Sequence, residues 1–159
     1  MGMNLWNALL VIGVSAAPVI ELRGGIPLAL SQGIAPVAAF SLALLGNLAV
    51  IPLLLWGLQW VEKLCMRWTV TRRIMEAVFS RSRRKGRWIE RWGSIGLLLL
   101  VAIPLPGTGA WTGALAARLL GLENKKALPW IVLGVVIAGI LVLSASLGVI
   151  HLFGLEPTA

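Results

Sequence analysis

A chain of 159 residues that is 58% hydrophobic and 13% charged, with a mean hydropathy of +0.91, is no ordinary soluble domain and reads as one polytopic membrane domain. The net charge is +8, and ten of the fourteen Lys and Arg fall between Lys63 and Arg91, which assigns that connection to the cytoplasm and to an anionic leaflet rather than to nucleic acid. Cys65 alone excludes an intrachain disulfide or a cysteine metal site, and the lone His151 reads as a polar residue closing a span.

The first element in chain order is the apolar stretch from Asn4 to Ala17, about 20 Å long if helical. It lacks the positive n-region of a signal peptide, and Pro18 follows Ser15-Ala16-Ala17 where cleavage would be poor, so it reads as retained. A break from Pro18 to Pro27 comes next and carries Glu21-Leu22-Arg23-Gly24-Gly25-Ile26-Pro27. No other acid or base lies between residues 1 and 61, and ionisable groups at membrane depth are functional candidates by default. The uncharged Ser31 to Pro36 reads as an outside loop, and Pro36 to Trp60, 25 residues, as the first full span.

Residues 62–93 form the basic linker, in which Trp60, Leu64, Trp68, Met75, Val78 and Phe79 fall near helical spacing and predict an interfacial amphipathic helix. Beyond it, Ile95 to Ile103 and Ala110 to Leu120 are about 14 and 16 Å of helix, enough to reach only the middle of a bilayer. Residues 94–120 therefore read as a re-entrant hairpin with Pro104-Leu105-Pro106-Gly107-Thr108-Gly109 at its tip. Arg87 and Arg91 before it, with Arg118, Lys125 and Lys126 after it, put both ends on the cytoplasmic face. Ala127 to Phe153 is the second full span. Leu45-Gly46 recurs as Leu133-Gly134 at a spacing of 88 residues, so the predicted fold is all-α: hairpin plus span, used twice as an inverted repeat (1–61 and 94–159) around the linker. So small a chain is expected to pair as a homodimer to bury its hairpins.

Arg23 stays protonated and its planar fork suits carboxylate or phosphate, making it the first candidate for binding an anionic substrate. Glu21 is the candidate proton carrier, and the competing structural role is a Glu21 and Arg23 pair that fastens one hairpin to the other. Gly24, Gly25 and Pro27 are expected to shape the first tip, and Pro104 and Pro106 the second. Gly107, Thr108 and Gly109 precede a helix beginning at Ala110, and the free amides of Gly107 to Ala110 suit an anion, the alternative being a plain turn with Thr108 as the cap. Ala110, Gly113, Ala114 and Ala117 form a small-residue packing face, while Asn47 and Pro52 suit an interhelical bond and a kink. No nucleophile with a base, no metal set and no cofactor motif is legible, so the chain is not expected to be an enzyme.

Glu-Leu-Arg-Gly-Gly-Ile-Pro near the start, with Pro-Leu-Pro-Gly-Thr-Gly-Ala-Trp-Thr-Gly in the second half, resembles the family called putative small multi-drug export proteins. That family is in turn similar to the DedA or VTT membrane proteins, and this resemblance implies paired re-entrant hairpins, an acidic residue and arginines near their tips, and translocation of polyprenyl phosphates or other lipids with proton or sodium coupling. Glu21, Arg23, Pro27, Pro104, Pro106, Gly107, Thr108 and Gly109 occupy the motif positions; the second tip here carries no arginine, Arg118 lying ten residues after Thr108. The resulting expectation is an inner-membrane, multi-pass transporter of an anionic amphiphile such as a lipid or polyprenyl phosphate. Its rivals are a proton-coupled exporter of cationic drugs and a non-transporting membrane scaffold.

Overall fold

The computed structural model describes residues 4–65, 86–105 and 107–152, with side chains described outside 61–65 and 86–92. Among these residues the chain is all helical: α1 (Leu5–Ala16), α2 (Glu21–Ser31), α3 (Pro36–Cys65), α4 (Gly86–Ala102), α5 (Ala110–Leu119) and α6 (Asn124–Leu152). Local chemistry sets the ends. The Asn4 side chain accepts from the Trp6 amide at 3.4 Å to start α1, and Pro36, whose missing N–H is no loss in a first turn, opens α3. Both short helices end alike. Gly33 (φ 73°) and Gly121 (φ 71°) take the left-handed turn, the Gly33 and Ile34 amides returning to Leu30 and Ala29, and those of Gly121 and Leu122 to Arg118 and Ala117.

The two spans agree with the sequence reading to within a few residues. Pro36–Trp60 has a mean hydropathy of 2.2 and Asn124–Leu152 of 2.6, yet only 28% of either hydrophobic window is buried within the chain. A soluble protein would hide such helices, so these faces belong against lipid. The spans run antiparallel, with Phe40 against Gly139 and Asn124 Nδ2 donating to Leu55 O at 3.0 Å. The arm α1 packs on α3, and α4 on α6, while each short helix touches both spans, α2 and α5 alike. Ile26, Ile51, Leu55, Leu97 and Ile131 fill the centre.

Glycines recurring at 88 residues do matching jobs in the two halves. Gly25 of α2 lies against Ser15 of α1, and Gly113 of α5 against Val101 of α4; Gly46 of α3 meets the backbone of Ile12, and Gly134 of α6 meets Val101 and the carbonyl of Leu98. The Leu-Gly recurrence thus marks the place where each span admits its arm.

Two expectations need correction. Gly24, Gly25 and Pro27 do not form a tip: they sit inside α2, and the first break is only Ala17 to Ile20. Gly25 is needed there for close packing, and Pro27 lies on an exposed face of the helix. Likewise, the arm before the second break is longer than Ile95 to Ile103, because α4 already begins at Gly86. The expected amphipathic helix falls largely on residues 66–85, outside the described residues, apart from Trp60 and Leu64, which belong to α3. His151 is exposed in the last turn of α6, as expected.

Candidate functional site

The two breaks meet, and each is completed by a residue from the other half. Val19 (φ 79°) and Glu21 (φ 51°) both hold left-handed backbone, which costs a β-branched valine most and stores about 1–3 kcal/mol per residue. What the strain accomplishes is direction: Glu21 opens α2 with its side chain turned across to the second half and only 4% exposed. There Glu21 Oε1 accepts from the Trp111 amide at 3.2 Å, in the first turn of α5, so the carboxylate caps a helix 90 residues away.

Gly109 is the residue that makes room for it. Its backbone (φ 154°, ψ −155°) is in a region open essentially to glycine, and a Cβ there would overlap Glu21 Oε2. The Gly109 N–H donates to Thr112 Oγ1 at 2.8 Å, closing the turn from the other side. Trp111 Nε1 adds a further tie, donating to Ala16 O at the end of α1 (3.2 Å).

Arg23, half-buried, reaches the same break from α2. Its Nη2 donates to Thr108 Oγ1 at 2.9 Å and to Ile103 O at 3.2 Å, the latter one of the carbonyls that the end of α4 leaves without a helical partner. The Thr108 hydroxyl in turn points to the Ile103 and Leu105 carbonyls at 2.8 and 2.9 Å. Glu21 and Arg23 therefore do not pair with one another; among the described residues they fasten separate ends of the opposite break. Arg23 Nε is buried without a partner.

Of the residues expected to bind a substrate, Arg23, Thr108, Gly109 and Ala110 are brought together. Gly107 (φ 79°) is exposed at the turn, Pro104 is exposed before it, and Pro106 lies outside the described residues. The helix-end amides are not vacant, as the sequence suggested: Thr108 N returns to Leu105 O, Gly109 N to Thr112, and Trp111 N to Glu21. Ala110, Gly113, Ala114 and Ala117 are all buried, as a packing face requires. Asn47 is 1% exposed with Nδ2 unpartnered, so the interhelical bond belongs instead to Asn124, which the sequence reading passed over. Trp111 and Thr112 were also passed over; their place directly after the Gly-Thr-Gly turn, at the helix's N2 and N3 positions, was the available signal.

A chain helical throughout its described residues, with two lipid-length apolar helices and a buried carboxylate and a half-buried guanidinium at the meeting of two broken segments, is a membrane protein of the transporter kind. Residues 21–141 match the sequence model of the family described as putative small multi-drug export protein, and the chain belongs to that family. No curated protein and no solved structure matches it. The family is one of exporters by its description, not an enzyme class.

Proposed function

We propose that the protein moves an anionic amphiphile, of the lipid or polyprenyl phosphate class, across the membrane by alternating access, with Arg23 holding the head group. The observation that carries this is the bonding of Arg23: it donates only to a carbonyl and a hydroxyl, and Glu21, though near enough to act on its charge, makes no ion pair with it, so the guanidinium keeps donors for an anion. An anionic ligand completes such a site, and a cationic one does not. Glu21 couples protons, because neutralising its carboxylate removes the charge held at the α5 end and loosens one of the ties between the halves. The family's description favours a second reading, proton-coupled export of drugs, with Glu21 as the cation acceptor.

The test is Arg23→Gln, in protein that inserts and melts as wild type does. Loss of one charge-assisted bond, about 1.5–3 kcal/mol, should weaken phospholipid or polyprenyl phosphate binding roughly tenfold to a hundredfold and stop transport in proteoliposomes. Arg23→Lys should rescue only in part, since an ammonium lacks the fork. Undiminished anionic-lipid transport in Arg23→Gln, or stronger binding of lipophilic cations, would move the assignment to drug export.

The same reading treats both halves as re-entrant and mutually inverted. Support comes from length and from packing: α2 and α5 have 11 and 10 residues, about 17 and 15 Å against the roughly 30 Å of a bilayer core, and the spans beside them run antiparallel. With Cys65 replaced by serine, Ser94→Cys and Lys125→Cys should both be labelled by an impermeant maleimide from the cytoplasm, and Gly33→Cys from outside. Opposite labelling of positions 94 and 125 would require a full crossing between them.

A further inference from the structure

We infer that Ser15 and Asn47 form a receiving site for protonated Glu21: on taking up a proton the side chain leaves the Trp111 amide, and the neutral acid is held between the Ser15 hydroxyl and the Asn47 amide of the first half. This rests on the reading of Glu21 as the proton carrier and names where the carrier goes. Ser15 and Asn47 are each 1% exposed, and Ser15 Oγ and Asn47 Nδ2 make no hydrogen bond. Helix packing brings both to the depth of Glu21. Ser15 Oγ lies against Gly25, where an added Cβ would overlap it and would stand 3.5 Å from the Cβ of Ala43, so α1, α2 and α3 converge there. Joined by a short turn, α2 and α3 run in opposite directions, so one turn back along α2, at Glu21, meets the level of one turn on along α3, at Asn47. Gly46, beside Asn47, meets the carbonyl of Ile12, one turn before Ser15. Of the four buried polar residues among those described, three therefore lie within about one turn of one another in depth, and the fourth, Asn124, is bonded to Leu55 O.

The chemistry of the pair suits a neutral acid better than an ion. A carboxylate only accepts, whereas a protonated carboxyl offers one O–H and keeps an accepting oxygen. Asn47 Nδ2 donates to that oxygen and Ser15 Oγ accepts the O–H, which satisfies all three groups at once; the Trp111 amide supplies a donor alone. A buried donor left unused costs about 1–3 kcal/mol, so the two unused groups favour the state that employs them. In the step itself one Glu21 oxygen takes a proton from hydronium, forming the O–H and leaving water, and the reverse step returns it. Other charges around the site are few. Residues 5–16 of α1 and 36–60 of α3 hold none, α2 adds Arg23, and α5 carries Arg118 in its last turn. Lys125 and Lys126 open α6 and His151 closes it, while Arg87, Glu90 and Arg91 lie at the start of α4. Arg23, whose charge acts on Glu21, stays protonated throughout.

The experiment is acid-minus-neutral infrared difference spectroscopy on the full chain in phospholipid vesicles, where protonated Glu21 is the carboxyl band that Glu21→Gln removes. Asn47→Leu and Ser15→Ala should each move that band to higher wavenumber, the carbonyl having lost its donor in the first and the O–H its acceptor in the second. Ser41→Ala, on an exposed face of α3, should leave it in place. Asn47→Leu should also melt no lower than wild type, because it deletes an unused buried donor rather than a bond. Where Asn47→Leu does not insert, Ser15→Ala reads the site alone. A band that the folded variants leave unmoved overturns the receiving site and spares proton coupling by Glu21. Absence of any band that Glu21→Gln removes rejects the coupling, and the receiving site with it.

Discussion

Gly109→Ala is expected to lower the melting temperature of the detergent-solubilised protein by roughly 10 °C, far more than Gly107→Ala two residues earlier. Both glycines have positive φ, 154° and 79°, but their surroundings differ. At Gly107 the added methyl meets nothing within 4 Å, so the cost is that of a left-handed alanine, about 1–2 kcal/mol. At Gly109 the backbone region itself is nearly closed to alanine, and the Cβ would drive Glu21 Oε2 out of its place. Strain of about 1–3 kcal/mol and a buried carboxylate deprived of its donor, about 1–3 kcal/mol or more, then add. Tryptophan-fluorescence melts of the two variants side by side provide the measurement, and equal shifts would mean that the notch is not what Glu21 depends on.

Gly46→Ala should be the next most damaging change. Its Cβ would overlap the Ile12 carbonyl oxygen and lie 3.0 Å from that carbonyl carbon and 3.1 Å from the Cα. These are backbone atoms of α1 that no rotamer change can withdraw, so the whole arm must move off α3. Overpacking of this kind costs about 1–3 kcal/mol. Gly57→Ala on the same helix is the control: nothing lies within 4 Å, and alanine's better helix propensity, about 1 kcal/mol, should leave stability unchanged or raised. If Gly46→Ala melted like Gly57→Ala, the close approach of α1 to α3 would be refuted.

Both spans and the second break were legible because bilayer thickness fixes helix length, and Glu21 and Arg23 stood out because an isolated acid and base in apolar sequence need a reason to be there. The partners of those two side chains were not legible. A Glu21 and Arg23 pair was the competing structural role, whereas the bonds they make run to Trp111 and Thr108, 90 and 85 residues away. Gly24-Gly25 and Pro27 were misleading for a related reason. Local propensity treats them as breakers, but Gly25 is set by Ser15 and Ala43, which approach it from two other helices. The helix-end amides looked vacant from sequence for the same want of tertiary information, since the group that fills them belongs to the other half.

That crossed arrangement has a consequence for how the chain comes into being. The ribosome completes Glu21 roughly 5–20 s before Trp111, at about 5–20 residues per second over the 90 residues between them. During that interval the carboxylate has no amide to receive it, and holding it unpaired in hydrocarbon would cost several kcal/mol. The early half therefore either waits near the membrane surface with its acid still wetted or carries that acid protonated, and reaches its final bonding only when the later half arrives to take hold of it.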